Sequence, residues 1–318
     1  MAAPHIVSLG DLVMDLIFPV SLPILPSQHQ DIEGMKYEPG GACNSIIMGA
    51  RLGARMSAVG AVGTDAFGDA LLDILRAEGA NVDGVDAAPN SRTTLVLSLS
   101  DASKGQHVFV GAYGKGADAQ FTANIQRIVD SADALFVQGY SLYEKRVADM
   151  VVKAIQRAKA NNTPIYFDGG PTLHAVPSDR VDWAVGMATV LLATEDEIPG
   201  ISQGRTGAEA VDYLLSRGAQ MIVIKQGGNG CTVIVPVNGQ AQSKHYPGFN
   251  VQVVDTIGAG DCFDAGFMIA QLSGYSIDDC AVMANACGAA NVQKLGAGRD
   301  VPTRAEVNAL LRSKGLSF

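Results

Sequence analysis

Apolar residues come in short runs separated by glycine-rich or helical stretches. The first, residues 5–9, stops at Gly10-Asp11 and predicts a buried opening strand with polar residues at its C-terminal edge. In open α/β sheets that edge is where ligands bind. Residues 12–38 break the pattern: Pro19, Pro23 and Pro26 interrupt them, no helical period is present, and 27–31 are polar. They read as an excursion from the main sheet. Pro39-Gly40-Gly41-Ala42-Cys43-Asn44 then leads into a predicted helix over 45–52, a strand over 56–62, and an amphipathic helix over 65–78 that ends at Gly79. Residues 93–100 alternate as a half-exposed strand does, and 108–112 return as a partner after a polar turn carrying Gly105. One-sided strands do not suit a sheet covered on both faces. This hairpin is therefore expected to join the 12–38 excursion in a small separate sheet.

Beyond residue 116 strand and helix alternate regularly. Strands are predicted at 134–138, 164–168, 189–193 and 221–225, separated by helical stretches near 144–161 and 207–217. That spacing indicates a parallel sheet with helices on both faces. Further strands are expected at 230–237 and 251–254, and helices at 262–272, 277–291 and 303–312. The fold class is α/β: a doubly wound, mostly parallel sheet flanked by helices, with a small β-sheet lid. The main domain takes residues 1–10, 39–91 and 116–318, and the lid takes 11–38 and 92–115.

A chain of 318 residues can bury a sizeable core. Its 47% apolar residues, 17% charged residues and 36 glycines fit a compact enzyme with many tight turns. The net charge of −9 argues against a nucleic-acid partner, which needs a basic face. The five cysteines, Cys43, Cys231, Cys262, Cys280 and Cys287, are widely spaced and read as buried thiols in a reducing compartment. The N-terminus lacks a basic region followed by a long apolar one, and no later run reaches membrane-spanning length. A cytoplasmic protein is expected. The five histidines show no metal-ligand spacing.

The chemistry concentrates in Asp255-Thr256-Ile257-Gly258-Ala259-Gly260-Asp261, just before an apolar helical run. Gly258, Ala259 and Gly260 leave their amides uncovered, and the first amides of a helix lack intrahelical acceptors. Such a place binds anions. Asp261 would be repelled by that anion unless it has separate work, and the natural work is to take a proton from a nucleophile approaching the anion. Two familiar phosphate motifs are excluded. Gly258-Ala259-Gly260 has Phe263 where a dinucleotide fingerprint has its third glycine, and Gly114-Lys115 is followed by Gly116 instead of Ser or Thr.

Asp-Thr-x-Gly-Ala-Gly-Asp would arise by chance in a chain this long with probability on the order of 10⁻⁵. It resembles the C-terminal signature of the ribokinase-like (PfkB) carbohydrate kinases, and Gly40 to Asn44 through Leu52-Gly53 resembles their N-terminal one. Gly60 to Gly68 and the closing Gly296-Ala297 extend the resemblance over essentially the whole chain. It implies an ATP-dependent sugar kinase in which Asp261 deprotonates the acceptor hydroxyl and the amides at Gly258, Ala259 and Gly260 form an anion hole.

Asp11 and Asp15 are the implied acceptors for sugar hydroxyls, their bland alternative being turn formation. Gly40 and Gly41 would let backbone approach a sugar ring. Asn44 would offer donor and acceptor to hydroxyls, or merely cap its helix. The family usually has three residues between the glycine pair and Asn, whereas this chain has only Ala42 and Cys43. Either Pro39 takes the first glycine's place or the loop is one residue short. Thr194 to Glu197 resembles the family's Asn-x-x-Glu element, with Thr194 where Asn is usual and Glu197 organising Mg²⁺ through water. Lys225, Gly227, Gly230, Thr256 and Asn285, with Thr194, Gly258 and Gly260, are the implied nucleotide contacts. Asp255 and the Gly296 loop are candidates for holding a monovalent cation such as K⁺.

Closure of the lid over substrate would exclude water from the phosphoryl group. Its unpaired strand edges and apolar face predict a homodimer through the lid. Two alternatives stand beside the sugar kinase. One is a nucleoside kinase, with Phe18, Tyr37, Phe109 and Tyr113 available for stacking. The other is a sugar-binding regulatory protein that has lost catalysis.

Overall fold

The computed structural model describes every residue except Met1, Glu33, Ala102, Gly105, residues 113–117, Glu144, Pro171 and Thr172. The expected turn residue Gly105, the lid boundary at 115/116, the Gly114-Lys115-Gly116 stretch and the stacking candidate Tyr113 lie outside the described residues.

The strands are β1 (His5–Leu9), β2 (Leu12–Pro19), β3 (Lys36–Gly41), β4 (Arg55–Gly63), β5 (Asn81–Ala88), β6 (Thr94–Asp101), β7 (Gln106–Gly111), β8 (Ala134–Gln138), β9 (Ile165–Asp168), β10 (Val190–Thr194), β11 (Met221–Lys225), β12 (Cys231–Val237) and β13 (Gln240–Tyr246). The α-helices are α1 (Cys43–Arg51), α2 (Ala66–Ala77), α3 (Ala123–Asp130), α4 (Lys145–Ala160), α5 (Ser178–Met187), α6 (Ile198–Ile201), α7 (Gly207–Ser216), α8 (Ala259–Leu272), α9 (Ile277–Asn291) and α10 (Arg304–Leu311).

Among the described residues nine strands form the main sheet, in the order β13-β12-β11-β10-β9-β8-β1-β4-β5. The β5-to-β11 portion is parallel throughout, and β12 and β13 add an antiparallel edge. Alternation along each strand divides the apolar residues between two layers. Ile6, Phe136, Tyr166 and Leu192 pack with α1, α8 and α9, while Val7, Val137, Phe167 and Leu191 pack with α4, α5 and α7. Burial on both faces explains the near-continuous apolar runs.

The chain leaves β1 in one direction to β4 and in the other to β8, so the strand order reverses between β1 and β8. Asp11, Gln138, Asp168, Thr194 and Lys225 follow or end β1, β8, β9, β10 and β11, all on the same edge of the sheet. Register enforces the neighbourhood: Gln138 pairs with Asp168 and Thr194 with Lys225. This crevice is where open α/β sheets bind ligands.

The second sheet has the order β3-β2-β6-β7 and grows from that same edge, since β1 runs into β2, β3 into α1, and β5 toward β6. β3 continues past residue 38 to Gly41, bringing Pro39 and Gly40 into the small sheet. Lid and main unit are fastened at Glu38, whose carboxylate takes the Arg299 side chain at 2.9 and 3.0 Å and the Arg299 backbone N–H at 3.1 Å.

Some elements differ from expectation. Residues 251–254 are not a strand. Val253 and Val254 are exposed, and the Val254 N–H donates to the Val292 carbonyl at 2.7 Å. The strand before that segment is β13, whose residues are exposed up to Tyr246 and whose polar sequence hides it from a hydrophobic reading. β5, α3 and α5 were likewise not expected.

Phe136 is fully buried in the interior strand β8. Phe136→Ala is expected to lower unfolding stability by about 3–5 kcal/mol, measured by chemical denaturation; a loss under about 1 kcal/mol would contradict this packing.

Candidate active site

Asp261 occupies the first turn of α8. Gly258 caps that helix at φ 75°, a left-handed conformation that glycine takes without strain. The Ala259 N–H is already taken by the Thr256 carbonyl at 3.2 Å, against the expectation that it is uncovered; the amides that follow it in the first turn have no intrahelical acceptor. The Asp261 carboxylate is held by two carboxamides: Asn44 Nδ2 donates to Oδ2 at 2.9 Å, and Gln138 Nε2 donates to Oδ1 at 2.6 Å. Asn44 is not the cap of α1, a position taken by Ala42. Instead its Oδ1 accepts from the Gly298 N–H at 2.9 Å, which turns its NH₂ toward Asp261. The short stretch between Gly41 and Asn44 thus still delivers Asn44 to the carboxylate.

Asp15 points into the same region from β2 and is buried. Gly40 lies close beneath it. A Cβ on Gly40 would sit 2.1 Å from Asp15 Oδ2, so β3 can pass over that carboxylate only at a glycine. Gly41 ends β3 opposite Leu12, and the Ala42 N–H donates to the Asp11 carbonyl at 3.1 Å, closing the turn into α1. Asp11 is half-buried, and its charge bears on the Tyr140 phenol.

Burial pushes the Asp261 carboxyl up to about 7, with the Asp168 charge adding to the rise and the Asn44 and Gln138 hydrogen bonds and Lys225 opposing it. Burial, then the Asp261 charge, pushes Asp15 up to about 7 as well. Both effects favour the neutral acid.

Behind Asp261 lies a buried charge cluster. Lys225 Nζ donates to Asp168 Oδ1 at 2.9 Å and to Asp264 Oδ2 at 3.1 Å. Burial alone would lower the Lys225 ammonium; the Asp168, Asp264 and Glu197 charges outweigh it and hold Lys225 above its usual range. Asp264 is fully enclosed, and burial with the Asp168 charge drives it well above the carboxylate range. Lys225 is thus neither a solvated side chain nor a free arm. It is fixed beneath the start of α8, with Nζ 3.6 Å from where a Gly260 Cβ would stand.

On the other side of that helix start opens a cavity of about 720 Å³, within the range of small-molecule sites. Thr194, Lys225, Gly227, Gly230, Thr256, Ala259, Gly260 and Asn285 all line it; Gly258 does not. Its remaining wall is largely apolar, with Phe249, Val251, Val253, Phe263, Ala289 and Val292. Asn285 Nδ2 donates to the Tyr246 and Pro247 carbonyls at 3.2 and 3.4 Å, fastening the segment that follows β13.

Glu197 and Thr194 form a capping box: Glu197 Oε2 accepts from the Thr194 N–H at 2.8 Å while the Thr194 side chain accepts from the backbone at Glu197. Burial, then Asp168, raises the Glu197 carboxyl. Asp255 accepts from the Ile257 N–H at 3.2 Å and the Gly296 N–H at 3.0 Å, tying the loop before α8 to the Gly296 loop. Among the described residues no group of three or more His, Cys, Asp or Glu side chains is placed to hold a metal. Of the lid aromatics, Phe109 is exposed beside His107 and Tyr37 lies under the Arg299 guanidinium.

Gln138, Tyr140, Asp168 and Asp264 were not singled out from the sequence. Two of them end predicted strands, so the strand-end rule that nominated Asp11 would have nominated Gln138 and Asp168 as well. Asp264 had no such signal.

A carboxyl whose folded pKa lies above its unfolded value binds its proton more tightly when folded, so its contribution to stability falls as pH rises between the two. For Asp15 that window runs from 3.8 to about 7. Asp15→Asn is therefore expected to resist denaturant better than the parent at about pH 8 and to lose that advantage near pH 4. Equal stability of the two at pH 8 would contradict it.

Comparison with known proteins fits this architecture. A model of the pfkB family of carbohydrate kinases matches residues 3–304. Ribokinase of Bacillus subtilis (strain 168) is 28% identical over 313 residues, covering 96% of this chain and 99% of its own. Probable fructokinase-5 of Arabidopsis thaliana is 26% identical over 329 residues, covering 98% of each. The solved structure of Arabidopsis thaliana ribokinase complexed with ribose and ATP superposes with a TM-score of 0.81 at 24% identity, covering 98% of this chain and 99% of that one. The large, mostly parallel sheet with its smaller lid sheet is that of a ribokinase fold, and the chain belongs to the pfkB family of carbohydrate kinases.

Proposed function

We propose that this kinase transfers the γ-phosphoryl group of ATP to a hydroxyl of a small sugar, with Asp261 as general base. The observation that carries the reading is the place of Asp261 between the cavity-lining start of α8 and the polar side chains of Asn44 and Asp15. Its carboxylate bonds Asn44 and neighbours Asp15, while Ala259 and Gly260, immediately before it, line the 720 Å³ cavity. A nucleotide in that cavity would bring its terminal phosphate to the first amides of α8. A sugar held by Asp15, Asn44 and the Gly40-Gly41 backbone, with Asp11 at the rim, would bring a hydroxyl to Asp261.

In this arrangement the base takes the hydroxyl proton as the oxygen attacks phosphorus. The amides at Gly258 and Gly260, and that of Ala259 if it leaves the Thr256 carbonyl, then stabilise charge spreading over the transferred group. A carboxyl raised to about 7 suits the task, since a general base works best with a pKa near the operating pH. The apolar cavity wall suits an adenine, with Asn285 holding one side of its frame. Mg²⁺ bound with the nucleotide would neutralise phosphate charge, held mainly by the phosphates and waters. Glu197 is the carboxylate we assign to those waters. For K⁺ we assign the Asp255 and Gly296 loops, which are already tied together.

The relatives' names put ribose and fructose first among acceptors. ADP release over a panel of sugars and nucleosides identifies the substrate; turnover with nucleosides alone would replace the sugar reading. Asp261→Asn is expected to bind ATP normally and lose about 10² to 10⁴ in turnover, whereas near-normal turnover would overturn the assignment. Val108, Phe109 and Val110 are exposed on the edge strand β7, and we assign the dimer contact to the lid. A solution mass of twice the chain at micromolar concentration is expected, and a monomer mass would contradict it.

A further inference from the structure

Phosphoryl transfer as described leaves Gln138 without a role, although its amide makes the shorter of the two side-chain bonds to Asp261. The two carboxamides on Asp261 are built alike. Each has its oxygen held by a donor: the Gly298 N–H for Asn44, the Tyr140 hydroxyl for Gln138. A carboxamide has one acceptor end and one donor end. With the oxygen engaged, the NH₂ faces the carboxylate, and the reverse orientation would set an amide oxygen against a carboxylate oxygen. Tyr140 follows β8 by two residues and its ring packs on Gly170, while Gln138 is buried at the end of β8. Both partners are therefore fixed by the sheet.

We propose that Gln138, aimed by Tyr140, is a positioning residue for Asp261: it holds the carboxylate in one rotamer and favours its ionised form for proton abstraction. This rests on the reading of Asp261 as base. The surroundings explain the need. Asp261 is faced by Asp15 from β2, Cys43 from α1, Tyr140 after β8, Asp168 from β9, Lys225 from β11, and Cys262 and Asp264 on its own helix. Lys225 is the cation among these, and it already serves Asp168 and Asp264. Donation from Asn44 and Gln138, together with the Lys225 charge, opposes the burial and like charge acting on Asp261. Each charge-assisted bond is strong enough to matter on that scale.

The test uses the full chain with Gln138→Met, which keeps the length of the side chain and removes the donor, and Tyr140→Phe, which frees the amide to turn. Turnover is followed from about pH 5.5 to 9 with ATP and the best acceptor of the panel. The Asp261 ¹³Cγ resonance, assigned with Asp261→Asn, is titrated without substrate. For Gln138→Met the acid limb of the rate profile and the ¹³Cγ midpoint are both expected to rise by about one pH unit or more. At pH 6 that is about a tenfold loss of turnover, closing above pH 8, with the KM for ATP unchanged. Tyr140→Phe should move both in the same direction by less, and carries the test if Gln138→Met does not fold. Loss of rate by the same factor at every pH, with an unmoved ¹³Cγ midpoint, would overturn the proposal, since that is what a merely structural role produces. Near-normal turnover by Asp261→Asn would instead sink the base assignment itself.

Discussion

A carboxylate taken out of water must be supplied with donors, or it takes up a proton. The site of this kinase is organised by that constraint at Asp261. Two amides meet its two oxygens, and a lysine nearby is tied to two other carboxylates. Burial outweighs these donors and pushes the carboxyl up from its ordinary 3.8 to about 7. The elements that supply those donors are distant in sequence: α1 through Asn44, the end of β8 through Gln138, and β11 through Lys225. Each depends on the sheet for its place.

The sheet provides the place through its reversal of strand order beside β1. Strands on either side of that point send their C-terminal ends to one edge, and α8 starts over it with the residues that carry charge. The lid grows from the same edge and is anchored by Glu38 to Arg299. Arg299 follows Gly298, whose N–H orients Asn44. Lid, helix start and Asp261 therefore share one hydrogen-bonded seam.

Much of the main sheet was legible because its strands are buried on both faces and read as apolar runs, as at 134–138 and 221–225. β13 was not, because its residues QAQSKHY are almost all exposed and carry no hydrophobic signal. The reverse error arose at 251–254, where valines lie exposed along the cavity instead of in a strand. In the site, the Asp261 loop could be read because glycine spacing is local chemistry. The partners of Asp261 could not, since Gln138 stands 123 residues away and Asn44 217. Lys225 was legible as a strand-end lysine, but its burial between Asp168 and Asp264 depends on contacts no local pattern records.

Asp261, held between two amides, is the base we propose for phosphoryl transfer. The most direct measurement is the pH dependence of the unmodified enzyme's turnover with ATP and a neutral acceptor. The rate is expected to rise through an ionisation near 7 and then level. A rate constant from about pH 5.5 to 8.5 would contradict it.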